Sequence, residues 1–195
     1  MSFKQTPSQT VGPFFAYGLT PEPYGYPLRS LVTGVLAEES SEGEPIRIVG
    51  QVFDGEGKVV PDALIEIWQA DAAGRYAGSA SGGANRPFIG FGRVGTGADP
   101  ESRFIFETVK PGVAVPGQAP HIGVAVFMRG LLTHAYTRLY FSDEAAANAQ
   151  DPVLARVPEA RRATLIAERR ETGRGIVYRF DIHMQGARET VFFDV

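Results

Sequence analysis

The apolar runs of this chain are short, and a turn former closes nearly every one of them. Ile46–Phe53 stops at Asp54-Gly55-Glu56-Gly57, a turn of the Asp-Gly type. Ala63–Gln69, which holds the single tryptophan Trp68, follows Pro61-Asp62 and ends in the turn 71–74. Arg103–Val109 alternates, with Phe104 and Phe106 on one face, until Lys110-Pro111-Gly112 halts it. Ile122–Met128 closes at Arg129-Gly130, and Tyr136–Phe141 follows. Phe88–Arg93, Ile176–His183 and Thr190–Asp194 read as further strands. Many short strands spaced by turns predict a mostly β protein, an antiparallel β-sandwich.

One late helix interrupts this pattern. Pro158 suits a first turn, and Glu159–Arg170 is rich in Ala, Leu, Glu and Arg. Ala163, Ile166, Ala167 and Arg170 would share its buried face, while Arg161-Arg162 and Arg169-Arg170 would form a solvated basic one. Glu144–Ala149 adds a helical turn. Residues 1–45 carry six prolines and read as an irregular N-terminal arm. Its aromatic residues need burial, either on its own domain or on a partner. Residues 46–195 form the sandwich, in a single domain overall.

Composition narrows the functional classes. Net charge is −3, so nothing electrostatic favours nucleic acid or an acidic membrane. There is no cysteine, which excludes disulfides, thiolate metal sites and a cysteine nucleophile. The opening MSFKQTPSQTVGPFF lacks a continuous apolar stretch, so neither a signal peptide nor a membrane span is expected. A soluble cytoplasmic protein is the expectation.

Motifs carrying chemistry are few. Gly90-Phe91-Gly92-Arg93-Val94-Gly95 matches the dinucleotide pattern GxGxxG, but Thr96-Gly97-Ala98-Asp99-Pro100 does not open a helix, so the glycines are assigned to turns or close strand packing. No GxSxG is present, and His134 and His183 have no evident serine partner. A His-x-His pair on a strand puts both rings on one face and clips a metal. Here the pattern is His121-Ile122-Gly123, whose second position has no side chain. Taken alone, His121 reads as a hydrogen-bonded interior or interface histidine.

Several segments together resemble the intradiol ring-cleavage dioxygenase family over nearly the whole chain. They are Thr6-Pro7-Ser8-Gln9-Thr10-Val11-Gly12-Pro13-Phe14, Ile67-Trp68-Gln69-Ala70-Asp71, and Thr108-Val109-Lys110-Pro111-Gly112 with Ala119-Pro120-His121-Ile122. Thr137-Arg138-Leu139-Tyr140-Phe141 and Glu189-Thr190-Val191-Phe192-Phe193-Asp194 complete the set. The arm and the tail are similar to the α-type subunit of heteromeric members.

The resemblance implies an O2-dependent cleavage of protocatechuate at a ferric ion held by two tyrosines and two histidines of a β subunit. The ligand positions of that site fall here on His121, on Gly123, in Val113-Ala114-Val115 and in 78–88, where no tyrosine occurs. The resemblance therefore implies that this chain binds no metal and carries no catalytic group alone, while Fe(III) sits in the partner β subunit of a higher-order αβ assembly. It implies a substrate-binding wall from Thr10, Gly12, Pro13, Phe14 and Arg129. Phe14 stands where the family often has tyrosine, so ring packing remains and a phenol hydrogen bond does not. Arg129 would meet a substrate carboxylate or steer it, and its alternative is an ordinary strand-end arginine. A homomeric intradiol enzyme and a non-enzymatic sandwich binding module stay open as alternatives.

Overall fold

Alternation in the sequence becomes alternation in burial. This computed structural model describes Thr10, Gly12, residues 14–77 and residues 87–194. In β1 (Pro45–Phe53) Ile46, Ile48 and Val52 face the interior, and in β4 (Arg103–Val109) Phe104 and Phe106 meet them from the paired strand. Gly50 sits on the same inward face because a Cβ there would collide with the Phe180 carbonyl and the Phe104 ring.

The strands run β3-β2-β5-β6-β7-β8-β1-β4, with short β9 (Ile182–His183) beside β1. One half comprises β2 (Leu64–Trp68), β3 (Phe91–Gly95), β5 (His121–Phe127) and β6 (Ala135–Phe141). The other comprises β1, β4, β7 (Ile166–Thr172) and β8 (Gly175–Arg179). Ile65, Ile122, Val124 and Leu139 of the first half share one core with Ile48, Phe104, Phe106 and Tyr178 of the second. This is the mostly β sandwich expected. Pairing is antiparallel except where β6 meets β7 and where β1 meets β8 and β9.

The expected late helix is cut short. Helix α4 spans only Glu159–Arg162, a 3₁₀ turn covers Ala163–Leu165, and β7 takes the rest. Ile166 and Ala167 pair in parallel with Tyr140 and Phe141 of β6, and Glu168–Thr172 form a ladder with β8. Helix propensity of a fraction of a kcal/mol per residue yields to that ladder and to the burial of Ala167. The basic face does not form either. Arg169 pairs with Glu171, Arg170 with Glu168, Arg162 donates to the Val157 carbonyl and Arg161 to that of Glu189. Two further short helices, α2 (Ala145–Gln150) and α3 (Pro152–Ala155), precede it. Of Thr190–Asp194, only Phe193 bridges to another strand, at Tyr136.

Within the arm, α1 covers Phe14–Leu19 and a 3₁₀ turn covers Glu22–Tyr24. The Phe15 ring lies 5.4 Å from that of Phe127. Further on, Leu36 donates to the Glu107 carbonyl, and Arg93 to that of Thr33. Among the described residues, no helix is long and apolar enough to cross a membrane.

Candidate functional site

Strand β5 carries the half-clip, and its period of two decides which side chains can meet a ligand. Ile122, Val124 and Val126 enter the core, so His121, Gly123 and Ala125 lie on the opposite face. Cross-strand register sets Gly123 between Trp68 and Arg138, and Ala125 between Glu66 and Tyr136.

His121 lies over a second, smaller core. Tyr140, its cross-strand partner, is fully buried with Leu154, Val157 and Leu165. Asp151 is also fully buried and organises the spot. It caps α3 by accepting from the N–H groups of Val153 and Leu154, and it accepts from Ala119 N–H (2.8 Å) and the Tyr140 hydroxyl (3.2 Å). Burial, assisted by the Asp151 carboxylate, pushes the Tyr140 phenol up to about 12 against the opposing pull of Arg138. Burial pulls His121 below its ordinary value, with Arg138 adding to the effect, so the ring is neutral near pH 7. Its Nδ1 stands 2.9 Å from the Ala119 carbonyl, which can only accept, so Nδ1 carries the proton.

These residues do not fit a ferric ion. His121 offers one nitrogen, Gly123 offers none, and Val113, Ala114 and Val115 replace a phenolate. Residues 78–86 lie outside the described residues, and their sequence has no tyrosine. Among the described residues, no three His, Asp or Glu side chains converge as a metal set.

The expected wall residues gather elsewhere. Thr10 Oγ1 accepts from the Gly130 N–H at 2.9 Å, next to Arg129. The Gly12 carbonyl accepts from Phe15, which docks α1 on Phe127. Pro13 and the Phe14 side chain lie outside the described residues. Arg129 is 61% exposed and forms an ion pair with Asp62. This group sits at the C-terminal end of β5, whereas His121 begins the strand, roughly 20 Å away. The structure thus joins Thr10 to the Arg129-Gly130 turn, holds Gly12 on Phe15, and parts this end of the strand from the half-clip.

The remaining motifs have structural roles. In the GxGxxG segment Gly92 packs under Leu36 and Gly95 against Tyr24, within and at the end of β3. His134 packs between Phe127 and Tyr136, and His183 stacks on Phe53 at 4.8 Å.

One feature escaped the sequence reading. A groove of about 530 Å³ runs over Gly123 and Ala125, walled by Trp68, Phe91, Tyr136 and Phe193. Two small residues at alternate positions of β5 are its only local signal.

In sequence and in fold the chain is similar to known dioxygenases. A family model described as "Dioxygenase" matches residues 31–186. The chain is 60% identical over 195 residues to the protocatechuate 3,4-dioxygenase alpha chain of Burkholderia cepacia, covering 100% of this chain and 99% of that one. It is 35% identical over 161 residues to the protocatechuate 3,4-dioxygenase beta chain of the same organism, covering 76% of this chain and 67% of that one. Among solved structures, the dioxygenase domain of a dioxygenase carbohydrate-binding protein fusion from Streptomyces sp. SirexAA-E superposes with a TM-score of 0.60 at 23% identity, covering 93% and 100% of the two chains.

Proposed function

Since this chain belongs to the intradiol ring-cleavage dioxygenase family, we propose that it works as the iron-free α-type subunit of a heteromeric protocatechuate dioxygenase. In this reading an iron-bearing β-type chain supplies Fe(III), and the pair opens protocatechuate with O2 to 3-carboxy-cis,cis-muconate. The full-length similarity to one alpha chain and the partial similarity to a beta chain support it. One structural observation carries it: Thr10, Gly12 and Arg129 stand roughly 20 Å from the half-clip, too far to line a pocket over His121. They can serve a pocket only where another chain brings its centre to that end of β5. Arg129 would then present a guanidinium to an anionic substrate, exchanging its exposed contact with Asp62. Its role is binding and steering; activation of the substrate towards O2 would come from the ferric ion that the partner would hold.

Co-expression with a candidate β-type chain tests this. A complex that co-purifies and consumes O2 with protocatechuate is the expected outcome. A chain that never joins an iron-bearing partner would overturn it.

A further inference from the structure

The groove over β5 combines features that point to a ligand, and they hold whether or not the assembly proposed above is correct. Its floor is low because Gly123 and Ala125 are small. A Cβ added to Gly123 would meet only the Trp68 carbonyl oxygen, at 3.5 Å, so the space above it is open. Trp68 and Arg138 flank Gly123 from the two neighbouring strands, and two strand spacings part them by roughly 10 Å.

The walls are aromatic and wet. Trp68 is 54% exposed and Tyr136 39% exposed, on a face whose volume matches small-molecule sites. Charge gives the ligand a direction. Nη1 of Arg138 donates to Gln118 Oε1 at 3.1 Å, with a longer contact to the Tyr140 hydroxyl. Among the described residues no carboxylate forms an ion pair with this guanidinium, although Asp194 also lines the groove, and this leaves donors for an anion. At the other end of the floor Glu66 is already matched by Arg93 at 2.6 Å. An anionic group is therefore favoured over Gly123, beside Arg138, rather than over Ala125, whose cross-strand neighbour Tyr136 is bridged by Phe193 next to Asp194.

We propose that this groove binds a small planar aromatic carboxylate, with its ring over Gly123 and Ala125 and its carboxylate on Arg138. The ring lies against Trp68 and Tyr136 in offset or edge contact, and the guanidinium receives the carboxylate in a charge-assisted fork.

Trp68 is the only tryptophan, so its fluorescence reports the groove directly. The test titrates benzoate into the full chain, with benzamide as the uncharged control. The expected result is saturable quenching with half-saturation at about 1 mM or below. Benzamide and Arg138→Gln should each weaken binding by about tenfold or more, the loss of a hydrogen-bonded charge. Arg138→Gln also disturbs Gln118, so Gly123→Leu provides an independent check. It fills the floor without meeting a neighbour's side chain at Cβ, and it should abolish quenching while the melting temperature stays near that of the parent. No quenching, or equal quenching by benzoate and benzamide, overturns the proposal. So does a Trp68 signal that answers only to an added protein chain and not to benzoate, which would assign the groove to a protein contact.

Discussion

Asp151 reaches back across the fold to hold the backbone N–H of Ala119, two residues before His121. One buried carboxylate thereby ties the start of β5 to α3 and to the Tyr140 hydroxyl. The Nδ1–H bond to the Ala119 carbonyl leaves Nε2 as the one nitrogen His121 could offer, the tautomer of a ligating histidine, but Gly123 supplies no second side chain beside it.

Asp151→Ala should therefore be severe. It leaves the Ala119 and Leu154 N–H groups and the Tyr140 hydroxyl without their acceptor in a dry environment. A loss of about 3 to 5 kcal/mol is expected, against about 1 kcal/mol for Tyr140→Phe. Urea unfolding of the two variants measures the contrast.

Two strand glycines, Gly50 on the inward face of β1 and Gly123 on the outward face of β5, should behave oppositely. Gly50→Ala drives a methyl group into the Phe180 carbonyl and should cost about 3 kcal/mol or prevent folding. Gly123→Ala meets only one backbone oxygen at 3.5 Å, and its unfolding midpoint should stay within about 0.5 kcal/mol of the parent or rise. Equal losses at both positions would contradict the open groove.

The cluster of Lys110, Asp143 and Tyr178 links stability to pH at both ends. Burial is the largest influence on it and pulls its value down, but hydrogen bonds to Asp143 (2.7 Å) and Glu144 (2.6 Å) outweigh this and hold it above 10.5. Tyr178, buried and donating to Asp143, is pushed up to about 12. Both folded values exceed the unfolded ones, so their stabilisation is complete below about pH 10 and is lost as pH rises further. Asp143 runs the other way. Burial raises it, yet Lys110 and Tyr178 hold it below 3.8, so its contribution is present above that pH and is lost as pH falls through the folded value. Unfolding free energies across pH should fall at both ends. Tyr178→Phe should flatten the alkaline limb, and Lys110→Met should weaken the acid one.

Arg129→Ala bears on the proposed wall. In the assembled enzyme it should raise KM for protocatechuate about tenfold, one lost charge-assisted contact, with kcat unchanged. Catechol, which lacks the carboxylate, should show no change. A fall in kcat for both compounds would assign Arg129 to something other than carboxylate binding.

The sandwich was legible because one face of each main strand is buried. Ile46, Ile48 and Val52, or Phe104 and Phe106, announce a period of two with no knowledge of their partners. β7 was not, because Ala-Leu-Glu-Arg composition favours helix and its strand character comes from β6 and β8. The charges held a clue: Glu168 with Arg170, and Arg169 with Glu171, pair two residues apart, the spacing of one strand face. The broken clip was readable from Gly123 itself. The groove was not, since Trp68, Gly123 and Arg138 become neighbours only through strand register.

Iron analysis of the purified full chain, alone and after co-purification with a β-type partner, decides which subunit holds the metal. The chain alone should hold no stoichiometric iron. The complex should hold stoichiometric ferric iron, with a tyrosinate-to-iron absorption band. Stoichiometric ferric iron and that band in the chain by itself would contradict the iron-free assignment.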